Sequence, residues 1–344
     1  MNLNNKTVFL TGGTGSFGKK FLEVVLKKYN IKRLLIYSRD ELKQYNLSNS
    51  QILKNKKIRN KLRFFIGDIR DFDRLKFAIN SDVDVVVHAA ALKQVPTAEY
   101  NPFEAVKTNV LGAQNVIDAC LQSNVKKVIA LSTDKAVSPI NLYGATKLTS
   151  DKLFVNANNY KGKKNIKFSV FRYGNVMGSR GSVIPLFINN KDKEYLPITD
   201  KRMTRFNITI QEGVNFVLDS LKMMHGGEIF IPKIPSYKIT DIAKVLNPKS
   251  KIKIIGIRPG EKLHEEMISS SDSLNTFDFG KFYIILPNSE FDEYNLRNFC
   301  KLNKIKKWKK CEEGFYYSSY NNEKFLSKLE ISRLINSNIK DFEI

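Results

Sequence analysis

Two pairs of proton-transfer groups lie in one short stretch of the sequence, between residues 128 and 147. Tyr143 and Lys147 are four positions apart, so on a helix their side chains share one face. An ammonium beside a phenol favours the phenolate and lowers the pKa of the phenol, which creates a general base for an alcohol proton. Asp134 and Lys135, directly after an apolar strand, form a second acid–base couple. A site that can move protons twice indicates a reaction of more than one step.

Each pair also has an ordinary structural interpretation. A tyrosine and a lysine at this spacing most often lie on a solvated helix face. An Asp-Lys dipeptide after a strand is commonly a turn with a weak surface ion pair. Catalysis is favoured only if the rest of the chain supplies a redox cofactor, so the surrounding elements must decide.

The composition indicates a globular chain. Its 344 residues allow a large core and two domains, and 42% of them are hydrophobic. No apolar run approaches the roughly 20 residues of a membrane-spanning helix, and the N-terminus enters a strand at once, so we expect no signal peptide. The cysteines, Cys120, Cys300 and Cys311, have no metal-type spacing. We therefore predict reduced thiols, no metal site and a cytoplasmic protein.

The formal net charge of +23 raises nucleic acid or a membrane surface as partners. The lysines are spread through the whole chain, however, and no nucleic-acid-binding motif accompanies them. We favour a general amino-acid bias as the origin of the charge. The prediction is no nucleic-acid partner and no membrane insertion, although an anionic substrate would also benefit from the field.

The N-terminal segment predicts a dinucleotide site. Residues 7–11 have the pattern of a buried strand, a glycine-rich loop follows, and a helix is expected from Lys19 to about Tyr29. The absent side chains let the backbone approach a pyrophosphate, and the helix N-terminus faces the negative charge. The loop residues expected to bind it are Gly12, Thr14, Gly15, Ser16, Phe17 and Gly18.

The end of the second predicted strand, residues 33–38, bears on the choice of cofactor. A NAD-selective site usually has a carboxylate there, which binds the ribose hydroxyls. Here Ser38 and Arg39 come first and Lys43 follows, and these cations could surround a 2′-phosphate. We therefore predict NADP. Asp40 keeps NAD open, and the cations could instead belong to a solvated helix start.

Strands alternate with helices over the first half of the chain, which predicts an α/β fold with a doubly wound, Rossmann-like parallel sheet. Further strands are expected at residues 63–68, 84–91, 128–131 and 168–171, and a long helix at 103–122. Ligands bind such sheets beyond the carboxyl ends of the strands. Asp68 is placed there to bind the adenine edge, whereas His88 is predicted to be a core residue. The other groups expected at this edge are Ile69, Ala89, Ala90, Ala91, Lys93, Leu131, Ser132, Thr133, Asn175 and Val176.

The pattern changes at about residue 177. Residues 1–176 are predicted to form the NADP-binding domain, with a returning segment near 206–232. Residues 177–205 and 233–344 are predicted to form a smaller α/β domain, whose basic lining suits a diphosphate. Its candidates for substrate binding are Arg180, Ser182, Val183, Thr199, Met203, Arg205, Arg258 and Glu261. Each arginine alone could equally be a surface charge.

The glycine loop together with Tyr143-x-x-x-Lys147 resembles the extended short-chain dehydrogenase/reductases that act on nucleotide sugars. A closer resemblance is to the inverting UDP-N-acetylglucosamine 4,6-dehydratases, which start pseudaminic acid and related bacterial 6-deoxy sugar pathways. It covers roughly residues 5–287 and returns weakly near Tyr316 to Leu334. The Thr133-Asp134-Lys135 triplet distinguishes the inverting dehydratases from related enzymes. In dTDP-glucose 4,6-dehydratases the corresponding triplet ends in Glu, and simple 4-epimerases lack the acid–base pair. The similar segments are TGGTGSFGK, YSRDELK, FFIGDIRD, HAAALK, ALSTDKA, NLYGATKL, RYGNVMGSRGSV, MTRF and IGIRPGEKLHEEM.

The resemblance implies a reaction on UDP-N-acetylglucosamine with bound NADP. Tyr143 would take the C4 hydroxyl proton during hydride transfer, Lys147 would hold the nicotinamide ribose, and Thr133 would bond the oxygen at C4. Lys135 would remove the C5 proton made acidic by the new ketone. Asp134, with a pKa raised by burial, would protonate the departing C6 hydroxyl.

The resemblance also implies substrate contacts and an assembly. Lys93 and Asn175 would steer the sugar, and Arg258 and Glu261 would hold the nucleotide. A homo-oligomer, a dimer or a hexamer, would pair the helices near 103–122 and 143–158. The alternatives are a UDP-sugar 4-epimerase, a multifunctional dehydratase/epimerase, and a non-catalytic NADP- or nucleic-acid-binding protein.

Overall fold

The computed structural model describes residues 2–79, 82–178, 183–188, 190, 193–287 and 294–338. The strands are β1 (Thr7–Thr11), β2 (Arg33–Ser38), β3 (Leu62–Ile66), β4 (Val85–His88), β5 (Lys127–Thr133), β6 (Lys167–Tyr173), β7 (Tyr195–Ile198), β8 (Thr204–Phe206), β9 (Ile229–Pro232), β10 (Ser236–Lys238), β11 (Lys251–Ile254), β12 (Glu266–Ile268), β13 (Thr276–Asp278), β14 (Phe282–Ile285), β15 (Lys309–Lys310) and β16 (Tyr317–Ser318).

The helices are α1 (Ser16–Lys28), α2 (Glu41–Ser48), α3 (Lys56–Arg59), α4 (Phe72–Ile79), α5 (Val95–Tyr100), α6 (Pro102–Val106), α7 (Gly112–Leu121), α8 (Leu142–Tyr160), α9 (Val183–Ile188), α10 (Ile210–Met223), α11 (Ile239–Leu246), α12 (Leu296–Leu302) and α13 (Lys328–Asn338). Short 3-10 turns lie at Gln51–Leu53, Asp134–Ala136 and Ser270–Asn275, and a π-helical turn at Lys107–Leu111. Within the described ranges, no helix is long and apolar enough to cross a membrane.

A large sheet carries the fold, with the strand order β15-β13-β14-β9-β6-β5-β4-β1-β2-β3. From β9 to β3 all neighbouring strands are parallel, and β14, β13 and β15 add antiparallel strands at the other edge. Side chains alternate between two buried cores, with Phe9 in one and Leu10 in the other. A parallel sheet buried on both faces by helices is the predicted doubly wound fold, which is confirmed.

The smaller part of the molecule has its own core and three short two-stranded ladders, β7 with β11, β8 with β10, and β12 with β16. Strand β9 joins the large sheet and α10 packs on α1. Strands β13, β14 and β15, which the sequence assigned to the smaller domain, are hydrogen-bonded into the large sheet instead. The division into two domains otherwise stays a prediction.

The helix expected over 103–122 is interrupted. Helices α6 and α7 are separated by the π-helical turn, which contains the buried side chain of Asn109. The Asn109 amide bonds both backbone groups of Leu92 and the hydroxyl of Thr146, at 2.8 to 3.0 Å. The interruption therefore fixes the loop after β4 against α8. Apolar periodicity alone does not reveal such a polar anchor.

Candidate active site

A cleft of about 970 Å³ lies over the carboxyl ends of the parallel strands. The predicted cofactor residues that line it are Gly12, Thr14, Gly15, Ser16, Phe17, Ser38, Arg39, Lys43, Asp68, Ile69, Ala89, Ala90, Ala91, Lys93, Leu131, Ser132, Tyr143, Lys147 and Val176. Gly18 does not line the cleft. A Cβ there would lie 2.4 Å from the carbonyl oxygen of Gly13, so Gly18 lets α1 pack against the loop.

The cleft also contains residues that the sequence did not single out. These are Lys19, Lys20, Glu23, Tyr37, Ile52, Gly67, Leu92, Thr108, Tyr173, Ile210, Gln211 and Asn338. Asp40, which kept NAD open in the sequence analysis, lines the cleft as well. Tyr173 is the last residue of β6 and pairs with Thr133 of β5, so its place at a strand end was available as a signal. Nothing local marks Ile210, Gln211 or Asn338, which the fold brings in from far along the chain.

The glycine loop packs closely against the residues that follow β4. Gly12 has a φ of +66°, and a Cβ there would lie 2.9 Å from the backbone of Ala89 and Ala90. The hydroxyl of Thr11 accepts hydrogen bonds from the N–H groups of both alanines, which ties the ends of β1 and β4 together. His88 lies 2.9 Å from the same hydroxyl, and burial lowers the pKa of His88 to about 3. Its prediction as a core residue is confirmed.

The far end of the cleft carries paired charges. Asp40 caps α2 by accepting the backbone N–H of Lys43 at 2.9 Å, and the Lys43 ammonium binds the same carboxylate. Arg39 lies 3.6 Å from Asp68, which Arg70 binds at 2.7 Å. Both carboxylates already have cationic partners, so this end of the cleft is not dominated by free negative charge.

The first turn of α8 packs tightly on the stretch that follows β5. Asn141 caps the helix by accepting the N–H of Gly144 at 2.8 Å. A Cβ on Gly144 would lie only 2.1 Å from the carbonyl oxygen of Lys135, so only glycine allows this approach. The contact brings Tyr143 beside Thr133, Asp134 and Lys135, so one member of the first proton-transfer pair lies next to the second pair.

Asp134 is an almost fully buried carboxyl group, 1% exposed. Its Oδ1 accepts the Thr133 hydroxyl at 2.9 Å and the Lys135 ammonium at 3.1 Å. Its Oδ2 has no partner among the described residues. Burial raises the pKa of Asp134, a rise that Lys135 opposes and Glu265 reinforces. The raised pKa expected from the sequence is confirmed.

Lys135 lies between two carboxylates. Its Nζ is 3.1 Å from Asp134 and 3.0 Å from Glu265, a residue that the sequence interpretation missed. Burial disfavours the ammonium, but the two carboxylates outweigh burial and raise the pKa of Lys135 above its usual value. Lys135 is therefore charged in the resting site.

We expected Lys147 to lower the pKa of Tyr143, and in the protein without cofactor this prediction is wrong. Burial raises the pKa of Tyr143 to about 12, and the groups that lower it are the Lys135 charge and a hydrogen bond with Thr133. Lys147 is buried too, and this lowers its own pKa, with Asp151 opposing. The cation that lowers the pKa of the Tyr143 phenol is thus Lys135 and not Lys147.

A buried network lies behind Lys147. Asp151 accepts the hydroxyl of Ser132 at 2.7 Å and an N–H of Arg172 at 3.2 Å, and Arg172 also donates to the carbonyl of Met267 at 3.0 Å. Asp151 and Arg172 are both buried. The network connects β5, β6 and α8 directly beneath the predicted catalytic face.

The predicted sugar-steering residues differ in their surroundings. Lys93 lines the cleft. The Oδ1 of Asn175 is buried and has no hydrogen-bond partner among the described residues, which suits a residue that meets a ligand. Val183 packs on the core of the smaller part, and Thr199 and Met203 lie inside that core, where the Thr199 hydroxyl is 3.1 Å from the Met203 sulfur. Arg180 and Ser182 lie outside the described residues.

The guanidinium of Arg205 is bonded to other groups of the protein. It is buried and donates to the carbonyl oxygens of Thr204, Lys262 and Leu263 at 2.7 to 3.1 Å. It also lies 3.3 Å from Glu261, which binds the largely exposed Arg258 at 3.0 Å. Arg205 therefore anchors the segment that carries Glu261, whereas Arg258 reaches solvent. The described residues contain no group of three or more His, Cys, Asp or Glu arranged to hold a metal ion.

Comparisons with known proteins agree with this geometry. Residues 8–287 match a family model described as "Polysaccharide biosynthesis protein". The chain is 56% identical over 337 residues to a UDP-N-acetylglucosamine 4,6-dehydratase (inverting) of Campylobacter jejuni subsp. jejuni serotype O:2, covering 97% of this chain and 98% of the relative. It is 46% identical over 289 residues to a UDP-glucose 4-epimerase of Rickettsia bellii, covering 82% and 83%.

Solved structures share the architecture. The X-ray structure of Pen from Bacillus thuringiensis has 38% sequence identity and a TM-score of 0.84, covering 98% of this chain and 99% of that one. DesIV from Streptomyces venezuelae, a dTDP-glucose 4,6-dehydratase, has 21% identity and a TM-score of 0.65 over 75% and 86%, which shows the fold alone. The chain therefore belongs to this family of polysaccharide biosynthesis proteins, within the extended short-chain dehydrogenase/reductases that its motifs resemble.

Proposed function

We propose that this protein is an inverting UDP-N-acetylglucosamine 4,6-dehydratase, a hydro-lyase that uses bound NADP and returns it unchanged. The observation that carries the proposal is the meeting of Tyr143 with the buried Asp134–Lys135 pair at the end of β5, beside the dinucleotide cleft. A 56% identical relative bears this name, and the alignment covers nearly the whole of both chains.

A nicotinamide dinucleotide fits the cleft, because Gly12, Gly15 and Ser16 of the glycine loop line it at the start of α1. When bound, the cofactor would accept hydride from C4, return it to C6, and place a positive charge near the phenol when oxidised. Tyr143 would take the proton from the C4 hydroxyl. Thr133, which bonds Asp134 in this structure, would orient both the phenol and the carboxyl group.

The dehydration step needs Asp134 protonated and Lys135 neutral. The resting ion pair of Asp134 and Lys135 holds the same number of protons, so one transfer across the 3.1 Å hydrogen bond produces the active form. Lys135 then takes the C5 proton, the C6–O bond breaks, and Asp134 protonates the leaving hydroxyl, which departs as water. The ion pair is restored, and a double bond joins C5 and C6 beside the C4 ketone. Tyr143, which would still hold the proton from the C4 hydroxyl, would then donate it to the opposite face of C5, which completes the inversion and restores the phenolate.

We propose NADP rather than NAD as the cofactor. Asp40 is occupied by Lys43, both through the backbone and through the ammonium, so it offers no free carboxylate to ribose hydroxyls. Arg39 lines the same end of the cleft, more than half exposed, where it could meet a 2′-phosphate.

NMR of the products from UDP-N-acetylglucosamine tests the proposal. A dehydratase creates a methyl group at C6 without net change in the absorbance of the nicotinamide, whereas a 4-epimerase keeps the hydroxymethyl group. UDP-glucose belongs in the same assay, because 46% identical relatives are named UDP-glucose 4-epimerases. Epimerised sugar without a methyl signal would refute the proposal, and later changes at other carbons would indicate a multifunctional enzyme. Lys135→Ala is expected to abolish the methyl signal while NADP stays bound.

We also propose a cytoplasmic homo-oligomer, a dimer or a hexamer. The three cysteines are free thiols, as expected in a reducing compartment. Tyr100, Phe103 and Leu111, on or beside the helices expected to pair, are exposed by 87%, 61% and 49%. Large apolar side chains grouped on one face commonly mark an interface. Light scattering of the wild type and of Phe103→Glu tests the assembly, because the variant is expected to dissociate.

A further inference from the structure

Glu265 is a buried carboxylate in direct contact with the proton-transfer pair. It is 2% exposed, and its Oε1 lies 3.0 Å from the Lys135 ammonium and 3.7 Å from the Nε of Arg205. Its Oε2 has no hydrogen-bond partner among the described residues. A carboxylate buried in this way is costly unless a cation compensates it, and the nearest cation is Lys135.

The fold holds Glu265 rigidly from the C-terminal part of the chain. Its N–H donates to the hydroxyl of Ser319 at 3.0 Å, and the N–H of Ser319 donates to the Glu265 carbonyl at 2.7 Å. The Ser319 hydroxyl also lies 2.8 Å from that of Thr204. These contacts continue the β12–β16 ladder and fix the Glu265 backbone against β8. Glu265, which directly precedes β12, is thus held beside Lys135 by hydrogen bonds of its own backbone.

The position of the second carboxylate matters for the dehydration step. As Lys135 takes the C5 proton, its neutral amine becomes an ammonium between Asp134 and Glu265. At the same time Asp134 loses a proton, so only Glu265 carries negative charge through the whole step. Relative to the form with a neutral Lys135, a fixed negative charge 3.0 Å from the developing cation stabilises the transition state without reorganisation.

We propose that Glu265 is a positioning residue for the dehydration: it holds the Lys135 amine in place and stabilises the charge that Lys135 gains. The inference rests on the proposed function. Arg205 is the other cation near Glu265, but its guanidinium donates to backbone carbonyls and to Glu261. It is therefore not free to replace Lys135 as the partner of Glu265.

The sign of the pH effect follows from the charge. The groups that face Asp134 and Lys135 are Tyr143 of α8, Tyr173 of β6, Arg205 of β8, Tyr237 of β10, and Lys262 and Glu265 from the segment before β12. Removing the negative charge of Glu265 makes proton uptake by Asp134 and by Lys135 less favourable. Both limbs of the bell-shaped profile of kcat against pH should therefore move to lower pH.

The test compares Glu265→Gln with Glu266→Gln. Glu266 is the next residue, is the first residue of β12, and has no ion pair among the described residues. Glu265→Gln is expected to lower kcat on the order of 10²-fold with little change in KM, and to shift both limbs down by about one to three pH units. It should still reduce bound NADP in the presence of substrate, because C4 oxidation precedes dehydration. Glu266→Gln should match the wild type in all three measurements.

Glu265→Asp provides the rescue, since it keeps the charge on a shorter side chain. Its limbs should remain at the wild-type pH values, with a kcat between those of the wild type and Glu265→Gln. A folded Glu265→Gln protein whose pH profile superimposes on the wild type would overturn the inference. If that variant does not fold, a shifted profile in Glu265→Asp would overturn it instead. A wild type that forms no methyl group would refute the proposed function, an outcome separate from these.

Discussion

The tight contact between α8 and the backbone of Lys135 can be tested with one added methyl group. In Gly144→Ala, the new Cβ would start 2.1 Å from the Lys135 carbonyl oxygen and 3.0 Å from the Cβ of Pro139. Ordinary contacts begin at 3.4 Å, so helix and carbonyl must separate by about 1.3 Å. Tyr143 is the neighbouring residue and moves with the helix, away from Thr133 and Asp134.

Two magnitudes follow from this displacement. Overpacking of this kind costs about 1 to 3 kcal/mol of unfolding free energy. The higher helix propensity of alanine offsets up to about 1 kcal/mol of that cost. A misplacement of about 1 Å in a catalytic group can lower the rate on the order of 10²-fold. We therefore expect Gly144→Ala to lose up to about 3 kcal/mol of stability and most of its kcat, with little change in NADP affinity.

Gly213→Ala is the matched control. Gly213 also lies in the first turn of a helix, α10, but a Cβ there would have its nearest neighbour, the Cδ1 of Ile208, at 3.9 Å. The control should keep wild-type activity and gain up to about 1 kcal/mol of stability. Urea unfolding and the NMR assay for the methyl product measure both variants. Wild-type kcat in Gly144→Ala would refute the idea that this contact positions Tyr143.

Other predictions concern the phenol, the buried network, the core histidine and the cofactor. Tyr143→Phe should abolish dehydration and the transient absorbance of reduced nicotinamide, because it removes the group that takes the C4 hydroxyl proton. Arg172→Met strands the buried carboxylate of Asp151 and should cost about 3 to 5 kcal/mol in urea unfolding. The pKa of His88 is about 3 in the folded protein and 6.5 in the unfolded chain, so its contribution to stability is complete above pH 6.5. As the pH is lowered from 6.5 to 3, that contribution should fall by up to about 1.4 kcal/mol per pH unit. Urea unfolding of His88→Gln at the same pH values should lack this slope. Arg39→Ala should weaken NADP binding about tenfold or more in calorimetry and leave NAD binding nearly unchanged, whereas equal losses would contradict contact with a 2′-phosphate.

The sequence predicted the elements whose signals are local. Buried strands, the glycine loop and the start of α8 follow from short stretches, and parallel topology then gathers their carboxyl ends at one edge. The meeting of Tyr143 with Asp134 and Lys135 was predictable for the same reason, since a single short loop separates them. The π-helical turn within 107–111 was not, because its cause is the hydrogen bonding of Asn109 to distant groups.

Tertiary packing decides what the sequence could not predict. Glu265 meets Lys135 across the boundary between the two parts of the chain, and nothing in its neighbourhood distinguishes it from Glu266. Arg205 is cationic in a segment that suggested phosphate binding, yet burial directs it to backbone carbonyls. Strands β13 and β14 are too short for a clear alternation of side chains, and they join the large sheet because β14 pairs with β9 and β13 with β14.

The two proton-transfer pairs are linked through Lys135. In the ion-pair form, its positive charge lowers the otherwise raised pKa of Tyr143, which favours removal of the C4 hydroxyl proton. The same charge must be lost before Lys135 can take the C5 proton. Passing one proton to Asp134 therefore changes the site from one suited to oxidation at C4 to one suited to elimination across C5 and C6. Because Glu265 stays negative in both forms, it opposes the loss of charge from Lys135 and favours its return, which makes the elimination the step most sensitive to that carboxylate.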